Sequence, residues 1–111
     1  MLRACLISAL ALPALLTPAL AETQLTTYRY ACEGDVTFWV VYAVDEAGGG
    51  GAVVALDDRL WQLDPVPAAS GARYAGGEDG RIIWWTQGED AMLLRAENGQ
   101  ETVVMTCVDS Y

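Results

Sequence analysis

Two cysteines, Cys32 and Cys107, constrain this chain more than any other pair of its residues. They lie near the two ends of the segment that follows an N-terminal leader, so a bond between them encloses nearly the whole fold. The leader sets the redox context. Arg3 precedes an apolar run from Ala4 to Leu16, and Ala19-Leu20-Ala21 offers the small–x–small pattern of a signal-peptidase site. Pro13 and Pro18 interrupt the run, and it is shorter than the ~20 residues that a spanning helix needs. Residues 1–21 are therefore expected to be a cleaved export signal, with a periplasmic destination and no membrane anchor. Cys5 falls inside that leader, and no cysteine follows the apolar run where a lipid would be attached. In an oxidising compartment the remaining pair is expected to form a disulfide.

Residues 22–111 then make one domain. A domain this small buries too little surface to be comfortably stable, so a covalent staple matters. On the chain-entropy model, closing a loop of about 75 residues contributes roughly 4 to 5 kcal/mol.

The segments after the leader alternate apolar runs with turn signals at short spacing, which predicts an all-β domain. The runs are "TTYRYAC", "VTFWVVYAV", "AVVAL", "RLWQLDPV", "RIIWWT", "AMLLRA" and "ETVVMTCV". "GD", "DD", "QGED" and the hairpin signal Asn98-Gly99 separate several of them. "DEAGGGG" reads as a flexible connection, and "PAASGARYAGGEDG" as the longest irregular stretch. Both faces of Val36–Val44 are apolar, so that strand is expected to be central in a sheet or covered on both sides. Pro65 and Pro67 are expected to end their strand or to mark it as an edge. Seven or eight short strands, with the first and last joined by a disulfide, fit a small antiparallel barrel, since closure also removes vulnerable edges. A two-sheet sandwich is the alternative.

Acidic residues outnumber basic ones, 15 to 6, and the formal net charge is −9. Such a surface repels nucleic acid and anionic membranes and speeds encounter with a basic partner. Solubility alone would also account for it.

Much catalytic chemistry is excluded by residue type. With no histidine there is no Ser-His-Asp or Cys-His arrangement and no imidazole metal site. With no lysine there is no Schiff base. Disulfide-bonded cysteines offer no thiolate. "GGGG" lacks the strand–helix context of a nucleotide-binding loop. Asp45-Glu46, Asp57-Asp58, Glu78-Asp79 and Glu89-Asp90 fall at turns rather than across a cleft, as a glycosidase would require. No cofactor, no metal and no enzymatic activity are expected. Adjacent Trp84 and Trp85 must face opposite sides of a strand. One is expected in the core, and exposed tryptophans leave open a non-catalytic carbohydrate- or envelope-binding module.

Ser70-Gly71-Ala72-Arg73-Tyr74 forms an S-G-x-x-Y motif, and "WWTQGEDAML" (Trp84 to Leu93) follows it with an aromatic–x–x–Gly–acidic–acidic–Ala–apolar pattern. With the bracketing "YRYAC" and "TVVMTCV", the chain resembles the bacterial inhibitors of c-type lysozyme, in both their membrane-bound and periplasmic branches. The resemblance implies an eight-stranded antiparallel barrel whose Ser70–Tyr74 loop inserts into the lysozyme cleft. It implies that Ser70 meets the catalytic carboxylates. Gly71 would permit close backbone approach, and Tyr74 would brace the loop by ring packing and a hydroxyl bond. The family has lysine where this chain has Gln87. Gln87 can donate a hydrogen bond but brings no charge, and charge-assisted bonds are roughly twice as strong. Arg73 or Arg81 is the candidate to supply the missing charge.

Overall fold

The computed structural model describes residues 23–47 and 49–110; the expected export signal lies outside them. Alternating side chains turn each apolar run into a strand with one inward face. Eight strands result: β1 (Gln24–Cys32), β2 (Val36–Val44), β3 (Ala52–Leu56), β4 (Arg59–Val66), β5 (Ala72–Gly76), β6 (Ile82–Gln87), β7 (Asp90–Glu97) and β8 (Gln100–Asp109). Each pairs antiparallel with the next, and β8 pairs back to β1, closing the barrel. The expected barrel is thus present, and the sandwich is excluded.

An eight-stranded barrel has an interior that side chains can fill. Here Tyr30, Phe38, Val40, Val54, Leu63, Trp84 and Leu93 fill it, and Trp84, Leu63, Val40 and Val54 are fully buried. Aromatic rings meet edge to face at its centre, with Tyr30 and Phe38 4.9 and 5.4 Å from the Trp84 ring. The indole N–H of Trp84 donates to the Tyr42 hydroxyl at 2.7 Å, and that hydroxyl bonds Tyr30 Oη at 2.7 Å. The one polar atom of the buried indole is thereby satisfied, as burial requires.

The barrel closes over a short seam. β1 meets β8 at three register positions, against nine between β1 and β2. Cys32 and Cys107 face each other on that seam and form the disulfide. Glu33 reinforces it, accepting from the backbone N–H of Thr106 at 3.2 Å and from the Thr106 hydroxyl.

Several expectations need correction. β2 is central, paired to β1 and β3, but its second face is not covered: Trp39 is 51% exposed, because a barrel encloses only the inward face. "ARYAG" is a strand, β5, so the irregular stretch shrinks to residues 67–71 plus the turn before β6. Its alanines and glycine hide it from pattern reading, yet it pairs with both β4 and β6. Pro65 neither ends β4 nor marks an open edge. Pairing to β3 stops at Leu63, so Pro65 sits in an overhang where only β5 is paired and a missing donor is tolerated. The described residues on either side of Gly48 are held by specific contacts. The Asp45 carboxylate accepts from the N–H of Ala47 and Gly49 at 3.0 and 2.8 Å, and a Cβ on Gly50 would lie 1.6 Å from the carbonyl oxygen of Ala43.

Candidate functional site

Up-and-down connectivity sorts the connections into two ends. The β2–β3, β4–β5 and β6–β7 connections share one end with the start of β1 and the finish of β8. Residues 67–71, with Ser70 and Gly71 at their close, therefore stand beside Gly88-Glu89 and Ser110. The opposite end carries the turns at Gly34-Asp35, Asp57-Asp58, Glu78–Gly80 and Asn98-Gly99.

Ser70 is exposed and held from β6 by two bonds. The Trp85 indole N–H donates to the Ser70 carbonyl at 2.9 Å, and the Gln87 side-chain amide donates to Ser70 Oγ at 3.0 Å. Trp85 and Gln87 are two apart on a strand and so share its outer face. A serine hydroxyl has one proton to give and two lone pairs. With Gln87 occupying a lone pair, the Ser70 proton remains free to point outward. Gly71 makes the turn into β5 at φ +68°, and a Cβ there would lie 2.0 Å from the Thr86 carbonyl oxygen. Any side chain at 71 would push the segment off β6. Ala72 starts β5 opposite Thr86, whose hydroxyl donates to the Ala72 carbonyl at 3.4 Å.

Arg73 and Tyr74 point to opposite faces. Tyr74 turns inward, its ring 5.7 Å from that of Tyr42. Burial pushes its hydroxyl above the usual phenol range. The expected ring packing is present, whereas the hydroxyl takes part in no hydrogen bond among the described residues, because it ends at the open mouth of the barrel. Arg73 lies on the outer face, its guanidinium 5.1 Å from the Trp85 ring centre and ion-paired with Glu101. Its charge is spent on Glu101 and on Trp85. Arg81 stands at the other end of β6, about 20 Å along the strand from Gln87, next to Asp79 at 3.9 Å. In the free chain Arg73 is thus paired with Glu101, and Arg81 stands at the far end of β6 from Ser70.

The structure thus gathers Ser70, Gly71, Ala72 and Gln87 at one rim, with Arg73 and Tyr74 behind them. Trp85 belongs with this group and was not singled out as a site residue. Its signal was its position two before Gln87, on the same strand face.

Comparisons with known proteins bear on the family and the fold. Residues 30–102 match the family model described as membrane-bound lysozyme-inhibitor of c-type lysozyme. Membrane-bound lysozyme inhibitors of C-type lysozyme from Cupriavidus necator and Pseudomonas aeruginosa are 40% identical over 73 residues and 33% identical over 84 residues. These alignments cover 63% and 76% of this chain, and they span 55% and 64% of those relatives' lengths. The Pseudomonas aeruginosa inhibitor solved in complex with hen egg white lysozyme superposes with a TM-score of 0.66 at 31% identity, covering 84% of this chain and 89% of that one. The periplasmic inhibitor of C-type lysozyme from Salmonella typhimurium shares the fold, with a TM-score of 0.66 at 20% identity over 79% of this chain and all of that one. The chain belongs to the family of membrane-bound lysozyme inhibitors of c-type lysozyme.

Proposed function

We propose that this chain is an exported, non-catalytic inhibitor of a c-type lysozyme, acting in the periplasm by placing Ser70 and Gly71 in the enzyme's cleft. The observation that carries the reading is the double clamp on Ser70. Its carbonyl is fixed by Trp85 and its hydroxyl by Gln87, at the outer rim of a disulfide-closed barrel. Such a serine is pre-organised, so little conformational freedom is lost on binding. Its free proton suits an ionised carboxylate, and the absent Cβ of Gly71 lets the backbone approach the cleft wall. A relative solved with hen egg white lysozyme supports the choice of partner. The acidic surface supports fast, salt-sensitive encounter with a basic protein.

A glycan-binding module fits less well. Trp84 is fully buried, Arg59 and Arg73 cover the rings of Trp61 and Trp85, and Trp39 stands exposed on another strand. The rings make no shared platform.

Titration of the oxidised chain into a c-type lysozyme that is lysing cell walls at low salt tests the proposal. Saturable inhibition near equimolar ratio is expected, with Ser70→Ala weakening it at least tenfold at unchanged melting temperature. No inhibition at large excess, or full inhibition by Ser70→Ala, would overturn the assignment.

A further inference from the structure

Among the described residues, one buried side-chain polar atom has no hydrogen-bond partner: Oδ1 of Asp109. An isolated buried acceptor is costly and calls for a reason. Its setting supplies one. Asp109, near the end of β8, lines a cavity of about 370 Å³ at the barrel mouth together with Tyr28, Tyr30, Tyr42, Tyr74 and Thr86. The tyrosines form a continuous wall, with Tyr42 5.7 Å from both Tyr28 and Tyr74 by ring centres. The hydroxyls of Tyr30 and Tyr42 bond each other and Trp84 rather than the carboxylate. Arg73 is paired with Glu101, and Arg81 lies beside Asp79. Among the described residues, Asp109 takes part in no ion pair.

A carboxylate among aromatic rings is half of a receptor for an organic cation. Ring quadrupoles attract an ammonium or guanidinium, and the carboxylate supplies a charge-assisted bond. We propose that this mouth receives a lysine or arginine side chain of the same basic protein whose cleft Ser70 enters, a reading that rests on the proposed inhibition. Ser70 and Tyr74 are four residues apart, so the rim and the mouth are within about 13 Å of each other and one partner can engage both. Asp45, Glu46, Glu89 and Asp90 occupy the same end of the barrel and favour a cationic visitor. The contact works in both directions: the inhibitor fills the partner's cleft while the partner's cation fills the inhibitor's mouth.

The test has two arms. In the first, N-acetyl-arginine amide and its neutral citrulline analogue are titrated into the oxidised chain and read by tyrosine ring NMR. Saturable shifts at Tyr28 and Tyr74 are expected with arginine only, weakened at least tenfold by Asp109→Asn. In the second, Asp109→Asn is expected to lower affinity for a c-type lysozyme about tenfold, with the melting temperature and the Ser70 effect retained and Asp109→Glu recovering part of the loss. Equal responses to the two probes would overturn the receptor. Probe binding combined with an undiminished lysozyme affinity of Asp109→Asn would make the mouth a site for free organic cations and overturn the partner assignment. Arginine-specific binding by a wild-type chain that does not inhibit lysozyme would remove the proposed function and overturn this partner, while locating the cation receptor.

Discussion

Ser70 owes its geometry to β6. Trp85 holds its carbonyl and Gln87 its hydroxyl, so one strand positions both polar groups of the residue offered to the partner. Gln87 does this as a neutral donor. A lysine there would keep a donor next to Ser70 Oγ and add a charge facing the partner's carboxylates. Gln87→Lys is therefore expected to tighten inhibition about tenfold, in keeping with the greater strength of charge-assisted bonds. A dose–response series against one lysozyme preparation checks this, and an unchanged or weakened inhibition constant would contradict it. The S-G-x-x-Y motif was readable through its resemblance to a family, since Ser and Gly taken alone are ordinary turn residues. The roles within it were less so. Alternation on a strand tells which residues share a face, but that Arg73 on β5 would reach Glu101 on β8, a strand it does not pair with, depends on the three-dimensional course of the barrel wall, and no local pattern encodes it.

At the scale of the strands, the barrel depends on polar contacts that tie distant elements. Tyr42 on β2 accepts from Trp84 on β6. Tyr42→Phe leaves a fully buried indole N–H without an acceptor, at an expected cost of about 1–3 kcal/mol. Urea unfolding would show this as an earlier midpoint at an unchanged slope, and an unmoved midpoint would contradict it. Glu33, in the β1–β2 turn, has its carboxyl held below the ordinary value of 4.5 by the Thr106 hydroxyl and then by the Thr106 backbone N–H. The sign follows from linkage. A carboxyl with a depressed folded pKa stabilises fully above its unfolded value, and the contribution is lost as pH falls through the folded value. Stability is thus expected to decline below about pH 4.5, and Glu33→Gln should flatten that part of the profile. A Glu33→Gln profile parallel to wild type through this range would contradict the contact. Long alternating runs such as "VTFWVVYAV" were legible as strands. β5 was not, because "ARYAG" lacks large apolar residues and its strand state comes from pairing on both sides. The second face of β2 is left uncovered for a related reason: a barrel wall has neighbours along its edges but not above its outer face.

For the whole molecule, closure is the governing fact. The β1–β8 seam has three register pairs, and the disulfide lies on it. Reduction of that bond is expected to lower stability by roughly 4 to 5 kcal/mol, measurable as denaturant unfolding with and without reductant; equal midpoints would contradict a stabilising role. A rigid closed wall also explains how a small domain can present a projecting serine without losing it to disorder. The cysteine spacing and the strand count favoured closure but left a two-sheet sandwich open, and the β1–β8 pairing decides between them. The tyrosine-lined mouth was not, since its residues come from β1, β2, β5, β6 and β8. Occupation of the active-site cleft of a c-type lysozyme by the Ser70 rim is open to a competition experiment. Binding of the oxidised chain to a c-type lysozyme would be measured with and without a saturating N-acetylglucosamine trimer in the cleft. Mutually exclusive binding is expected, with apparent affinity falling in proportion to trimer occupancy. Undiminished binding to the trimer-filled enzyme would place the contact outside the cleft and rule out insertion of Ser70.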